Sequence, residues 1–165
     1  VTAARESGFS ESGAEEYWTP QLSIGTPVLI PENFIPDLTV RLNVYRRIAD
    51  LVDTNEIDSY AAELTDRFGA LPEEVNNLFK VIIIKQLCRK AGVEKVDAGP
   101  RGAVVSFRND DVKNLSGLIE LLGRNQMTTQ LRTDHKLVHK SNWKKAPERV
   151  QGLTRLMQDL AAIAE

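Results

Sequence analysis

Cysteine is nearly missing from this 165-residue chain, which carries Cys88 and no other. A lone thiol excludes an intrachain disulfide framework and suits a reducing compartment. Long apolar runs are missing too. The most hydrophobic stretch, Val81-Ile82-Ile83-Ile84, falls far short of the ~20 residues that span a bilayer, so no membrane role is expected. Charge of one sign is not in excess: 21 Lys and Arg face 23 Asp and Glu, for a net charge of -2. That balance argues against a dedicated nucleic-acid binder, which usually carries a strongly basic surface. No secretory signal is visible and the chain opens at Val1, so it reads as a fragment of a cytoplasmic protein. What is present is ordinary for a globular domain: 42% hydrophobic and 27% charged residues, at a length that fits one domain with a true core.

Residues 1–16 are polar and acidic and read as a flexible linker, with the folded domain over 17–165. Val28-Leu29-Ile30 lies between Pro27 and Pro31 and is expected to be extended. Asp37 is a good N-cap for a helix from about Leu38 to Val52, with Leu38, Leu42, Tyr45, Ala49 and Val52 as its apolar stripe. A second helix, Glu56 to Phe68, carries Ile57, Tyr60, Ala61, Leu64 and Phe68 on one face, with Gly69 as its stop. The third, about Pro72 to Ala91, is apolar around more than half its circumference and is expected to be central. A hairpin follows, Val93 to Val96 and Ala103 to Phe107 about the turn Gly99-Pro100-Arg101-Gly102. Asn109-Asp110-Asp111 then predicts a helix striped by Val112, Leu115, Ile119 and Leu122. Thr128 to His139 suggests one or two strands, and Pro147 opens a last helix striped by Val150, Leu153, Met157, Leu160 and Ala164. The order predicts an α+β fold: several helices on a small, mostly antiparallel sheet.

No catalytic constellation is visible. Cys88 sits on the helix that is apolar on most sides and reads as a core thiol. His135 and His139 are four apart, but their segment reads as strand and no third metal ligand is indicated. The turn at 99–102 lacks the Lys-Ser/Thr of a phosphate loop. Charge placement says more. Residues 50–74 hold eight acids and one base, netting -7, whereas residues 132–149 hold six bases and two acids, netting +4. Either block is a solvated face or a docking face, because complementary potentials set specificity and encounter rate. Within the basic block, Trp143 between Lys140 and Lys144-Lys145 offers an aromatic among lysines, the pattern of a nucleic-acid contact.

Several spaced words then carry a resemblance. Tyr17-Trp18-Thr19-Pro20-Gln21, Gly25 to Pro31 (GTPVLIP), Phe34-Ile35-Pro36-Asp37, Arg41 to Ile48 (RLNVYRRI) and Asp66-Arg67-Phe68-Gly69 before Leu71-Pro72 resemble the C-terminal domain of the bacterial transcription-repair coupling factors over about residues 17–165. The resemblance implies a parent that is an ATP-fuelled, Mg-dependent DNA translocase, which displaces stalled RNA polymerase and recruits nucleotide excision repair. No helicase motor motif lies in these residues, so ATP and Mg are expected in the rest of the parent and no cofactor here. The domain is expected to be non-catalytic. It would act as an autoinhibitory clamp, docking on an N-terminal UvrB-like module of the same chain and covering the surface that binds UvrA. The expected contacts are Glu63 and Asp66, with Ser59 and Ala62 beside them, opposite the core stripe of the second helix. The alternative is a DNA- or polymerase-binding module using residues 132–149, with Lys140, Trp143, Lys144 and Lys145 as contacts.

Overall fold

Two aspartates open the helical part of the chain. Asp37 caps α1 (Leu38–Ala49), its carboxylate accepting from the Val40 N–H at 3.0 Å. Asp53 caps α2 (Thr54–Phe68), accepting from the Glu56 N–H at 2.8 Å, while the Glu56 carboxylate accepts from the Val52 N–H at 2.9 Å. First-turn donors that a helix leaves unpaired are thereby satisfied by the residues that start it. In the computed structural model, which describes residues 18–25, 28–124 and 128–164, Gly69 ends α2 at φ +100°. Gly92 ends α3 (Glu73–Ala91) in the left-handed region at φ +74°.

Five strands form one open sheet: β1 (Gln21–Ser23), β2 (Val93–Gly99), β3 (Gly102–Phe107), β4 (Thr129–Leu131) and β5 (Lys136–Lys140). Their order is β1-β2-β3-β5-β4, antiparallel throughout except for the parallel edge pair β1–β2. The β2–β3 hairpin turns where the Gly-Pro-Arg-Gly sequence predicts. Gly102 is required there: at φ +128°, an added Cβ would lie 1.9 Å from the His139 carbonyl oxygen on β5.

The α3 helix is central, as its apolar girth predicts. Its C-terminal half, with Ile84, Cys88 and Ala91, packs with α4 (Leu115–Arg124), α5 (Ala146–Ala164) and the sheet residues Val93, Val96, Val105 and Leu137. Its N-terminal half, with Val75 and Phe79, joins α1, α2, Ile30 and Ile35 in a second cluster. One helix thus has cover on most sides because two cores share it. The fold is α+β, with helices on a small, mostly antiparallel sheet.

Several expectations are corrected. The edge strand Gln21–Ser23 was not expected from the sequence, whereas Val28-Leu29-Ile30, expected to be extended, lies outside any helix or strand. Helix α1 stops at Ala49, and its buried residues are Val44 and Ile48, while Leu38, Leu42 and Ala49 are exposed and Val52, beyond its end, is 70% exposed. Two apolar arcs lie about a quarter turn apart on this helix, and Ile35, α2 and α3 cover the second one. Helix α4 behaves alike: Leu118 and Leu121 are buried, whereas Leu115 and Ile119 are exposed. It also starts later than expected, because Asn109 and Asp110 take positive φ and Asn114 accepts from the Gly117 N–H at 2.9 Å. The expected linker, residues 1–16, lies outside the described residues.

Candidate functional site

Helix α2 divides cleanly. Ile57, Tyr60 and Leu64 are buried against α1 and α3, with Ala61 and Phe68 half-buried beside them. Ser59, Ala62, Glu63 and Asp66, at spacings i, i+3, i+4 and i+7, are all exposed on the other side. The structure therefore brings the four predicted residues onto one solvent-facing strip.

Cations border that strip. Arg67 Nη1 lies 3.7 Å from Glu63 Oε2, one turn along the helix, with about half of each side chain exposed. The Arg67 guanidinium also lies over the Phe68 ring, 4.8 Å from its centre. From α1, Arg47 reaches over the Tyr60 ring at 4.9 Å. Burial raises the Tyr60 phenol pKa above its ordinary value, the Glu63 charge adds to that rise, and the two arginines oppose it. Asp66 has no ion-pair partner among the described residues. Such a strip offers carboxylate oxygens to incoming donors, and an arginine fork is the donor whose geometry matches them best. Arg67 was legible from spacing alone; Arg47 was not, because it comes from a neighbouring helix.

The other candidate chemistry resolves differently. Cys88 is fully buried, and burial pushes its thiol pKa up to about 12, which leaves it unreactive. His135 sits in the β4–β5 turn at φ +67° and His139 on β5; among the described residues no group of His, Cys, Asp or Glu is placed to hold a metal.

The basic segment presents less charge than its composition suggests. Arg132 is bonded to Asp134, a contact that lowers the Asp134 pKa to about 2. Arg149 is buried and donates to four carbonyls: Ile24 at 2.9 Å, Gly25 at 3.1 Å, Trp143 at 3.1 and 3.2 Å, and Lys144 at 3.3 Å. Trp143 is only 4% exposed, stacked obliquely on His139 and set against Gly152. Lys140, Lys144 and Lys145 remain exposed, but without an exposed aromatic among them. The stacking pattern expected of Trp143 is thus absent, because the indole is used in the core.

Comparison with known proteins bears on this geometry. The family model described as "TRCF domain" matches residues 24–118. A transcription-repair-coupling factor of Rickettsia bellii is 35% identical over 125 residues, covering 75% of this chain and 11% of that protein. One from Escherichia coli is 28% identical over 160 residues, covering 97% of this chain and 14% of that protein. The chain therefore spans a small fraction of the length of these relatives. In fold it is similar to a crystal structure described as the C-terminal domain of transcription-repair coupling factor, with a TM-score of 0.73 at 20% identity, covering 89% of this chain and 94% of that one.

Proposed function

The chain belongs to the TRCF domain family, and from that premise we propose that it is a non-catalytic, autoinhibitory domain of a transcription-repair coupling factor. The parent is an ATP- and Mg-dependent DNA translocase that acts on stalled RNA polymerase, and its motor lies outside these residues. This domain docks on the N-terminal UvrB-like module of the same chain and covers the surface offered to UvrA. The observation that carries the reading is the co-facial, exposed set Ser59, Ala62, Glu63 and Asp66 on α2. Two small side chains let a partner approach the helix closely, and two carboxylates receive its arginines.

The energetics suit a latch that opens. An exposed ion pair contributes only about 0–1 kcal/mol, so the Glu63–Arg67 contact is readily exchanged for one with a partner. Several such contacts, partly desolvated on docking, hold the domain closed, yet a motor rearrangement releases them. Salt-bordered docking of this kind also weakens with ionic strength.

The test is calorimetric titration of this domain into the N-terminal module, with duplex DNA as a parallel titrant. Binding to the module, competed by UvrA and lost in the double variant Glu63→Arg, Asp66→Arg, is the expected result. Unchanged affinity in that variant sinks the assignment of the face. Binding to DNA alone, falling steeply with salt, would move the function to residues 132–149.

A further inference from the structure

Gly152, Arg155, Leu156 and Asp159 share one face of α5, again at i, i+3, i+4 and i+7. Opposite them stand Thr129 of β4, His139 of β5, and Ser141 and Trp143 from the chain that follows β5. Together with Leu121 they line a cavity of about 250 Å³. The lining combines the apolar Leu121 and Leu156 with the polar Thr129, His139, Ser141, Arg155 and Asp159. Such a volume lies below the ~300–1,000 Å³ of sites for drug-sized ligands, so the occupant has few heavy atoms.

Three polar features of this cavity point to a ligand. Trp143 is 4% exposed, yet its indole N–H finds no acceptor among the described residues. Buried donors are rarely left unpaired, because desolvation without a bond is costly. Gly152 is what admits the indole to this wall, since a Cβ there would lie 2.4 Å from Nε1. His139 is fixed by a 2.8 Å contact between its Nδ1 and the buried Thr129 hydroxyl, and its Nε2 has no partner among the described residues. Finally, Arg155 and Asp159 line the same cavity with opposite charges and are paired neither with each other nor with another described group. A cation and an anion that line one cavity without pairing match a ligand that carries both signs.

We propose that this cavity binds a small zwitterion of the α-amino-acid class, its carboxylate taking the Trp143 indole N–H and the Arg155 guanidinium, and its ammonium facing Asp159. Ser141 also lines the cavity, and the Leu121 and Leu156 side chains there suit a small apolar substituent. The site is remote in sequence from the acidic strip of α2, and the inference stands independently of the docking function.

The two tryptophans make the test direct. Indole N–H resonances of Trp18 and Trp143 are followed by NMR in the 165-residue chain, and Trp18→Phe assigns them. Glycine, alanine and serine are titrated into the millimolar range, with acetate and methylammonium as single-charge controls. The expected result is a saturable shift of the Trp143 resonance with the amino acids, and Trp18 unmoved. Arg155→Gln and Asp159→Asn, both at exposed positions, should each weaken binding roughly tenfold or more, as loss of a charged hydrogen bond does. The proposal is overturned by no saturable shift with any amino acid, by acetate binding as tightly as glycine, or by full affinity in either variant.

Discussion

Replacing Arg149 by methionine tests how the N-terminal edge of this domain is held. The guanidinium makes five hydrogen bonds to four carbonyls, joining Ile24 and Gly25, which lie 125 and 124 residues before it, to Trp143 and Lys144. Methionine keeps much of the length and none of the donors. Gly25 and Lys144 are exposed, so their carbonyls can turn to water, but Ile24 and Trp143 are buried. Two orphaned buried carbonyls at about 1–3 kcal/mol each give a loss of roughly 2–6 kcal/mol. Relief of the guanidinium's own desolvation pulls the value toward the lower half of that range. A domain of this size has about 5–15 kcal/mol in total, so the variant folds but with little margin. In urea unfolding followed by tryptophan fluorescence, a loss of about 3 kcal/mol lowers the midpoint by about 1.5 M at a typical slope of ~2 kcal/mol per M. Amide exchange should speed up first along β1 and its partner β2. Arg149→Lys keeps the charge but lacks the fork, so it should recover only part of the loss. If Arg149→Met unfolds at the wild-type midpoint, the guanidinium is not what ties the edge strand down.

The two apolar arcs of α1 make opposite predictions. Ile48→Ala, at a fully buried position, should cost about 2–5 kcal/mol. Leu42→Ala, at 43% exposure, should stay within about 0.5 kcal/mol; equal losses in denaturant would mean the burial assignment is reversed. Gly102→Ala places a methyl against the His139 carbonyl at a positive φ, so it should disrupt the β3–β5 pairing and lower the melting temperature sharply. A variant that melts like wild type would show that the two strands are farther apart than described. Cys88 carries a pH signature. Its thiol has an ordinary pKa near 9 when exposed and about 12 when folded, so the unfolded chain loses its proton first. The contribution of this group to stability is complete below about pH 9 and declines as pH rises from there toward 12. Cys88→Ala should remove that part of the alkaline decline, and a thiol reagent at neutral pH should label Cys88 only on unfolding. Rapid labelling of the native protein would contradict its burial.

Much of this architecture follows from local signals. Asp37 and Asp53 bond to the first turns they precede, the Gly-Pro-Arg-Gly sequence turns the hairpin, and the even apolar girth of residues 75–87 marks α3 as the shared helix. The candidate face on α2 was equally legible. Periodicity alone sets Ser59, Ala62, Glu63 and Asp66 opposite Ile57 and Leu64, because one helix fixes its own faces relative to each other. Periodicity does not say which of two apolar arcs a neighbour will cover. On α1 and α4 the packing partners chose Val44 with Ile48, and Leu118 with Leu121, leaving Leu38, Leu42, Leu115 and Ile119 in solvent. Arg149 and Trp143 mark the same boundary. As letters they belong to a basic, aromatic surface segment, but carbonyls from the far end of the chain and a glycine on α5 draw both inside. Which side chains make a surface is decided by contacts distant in sequence, and those exist only once the two ends of the chain have met.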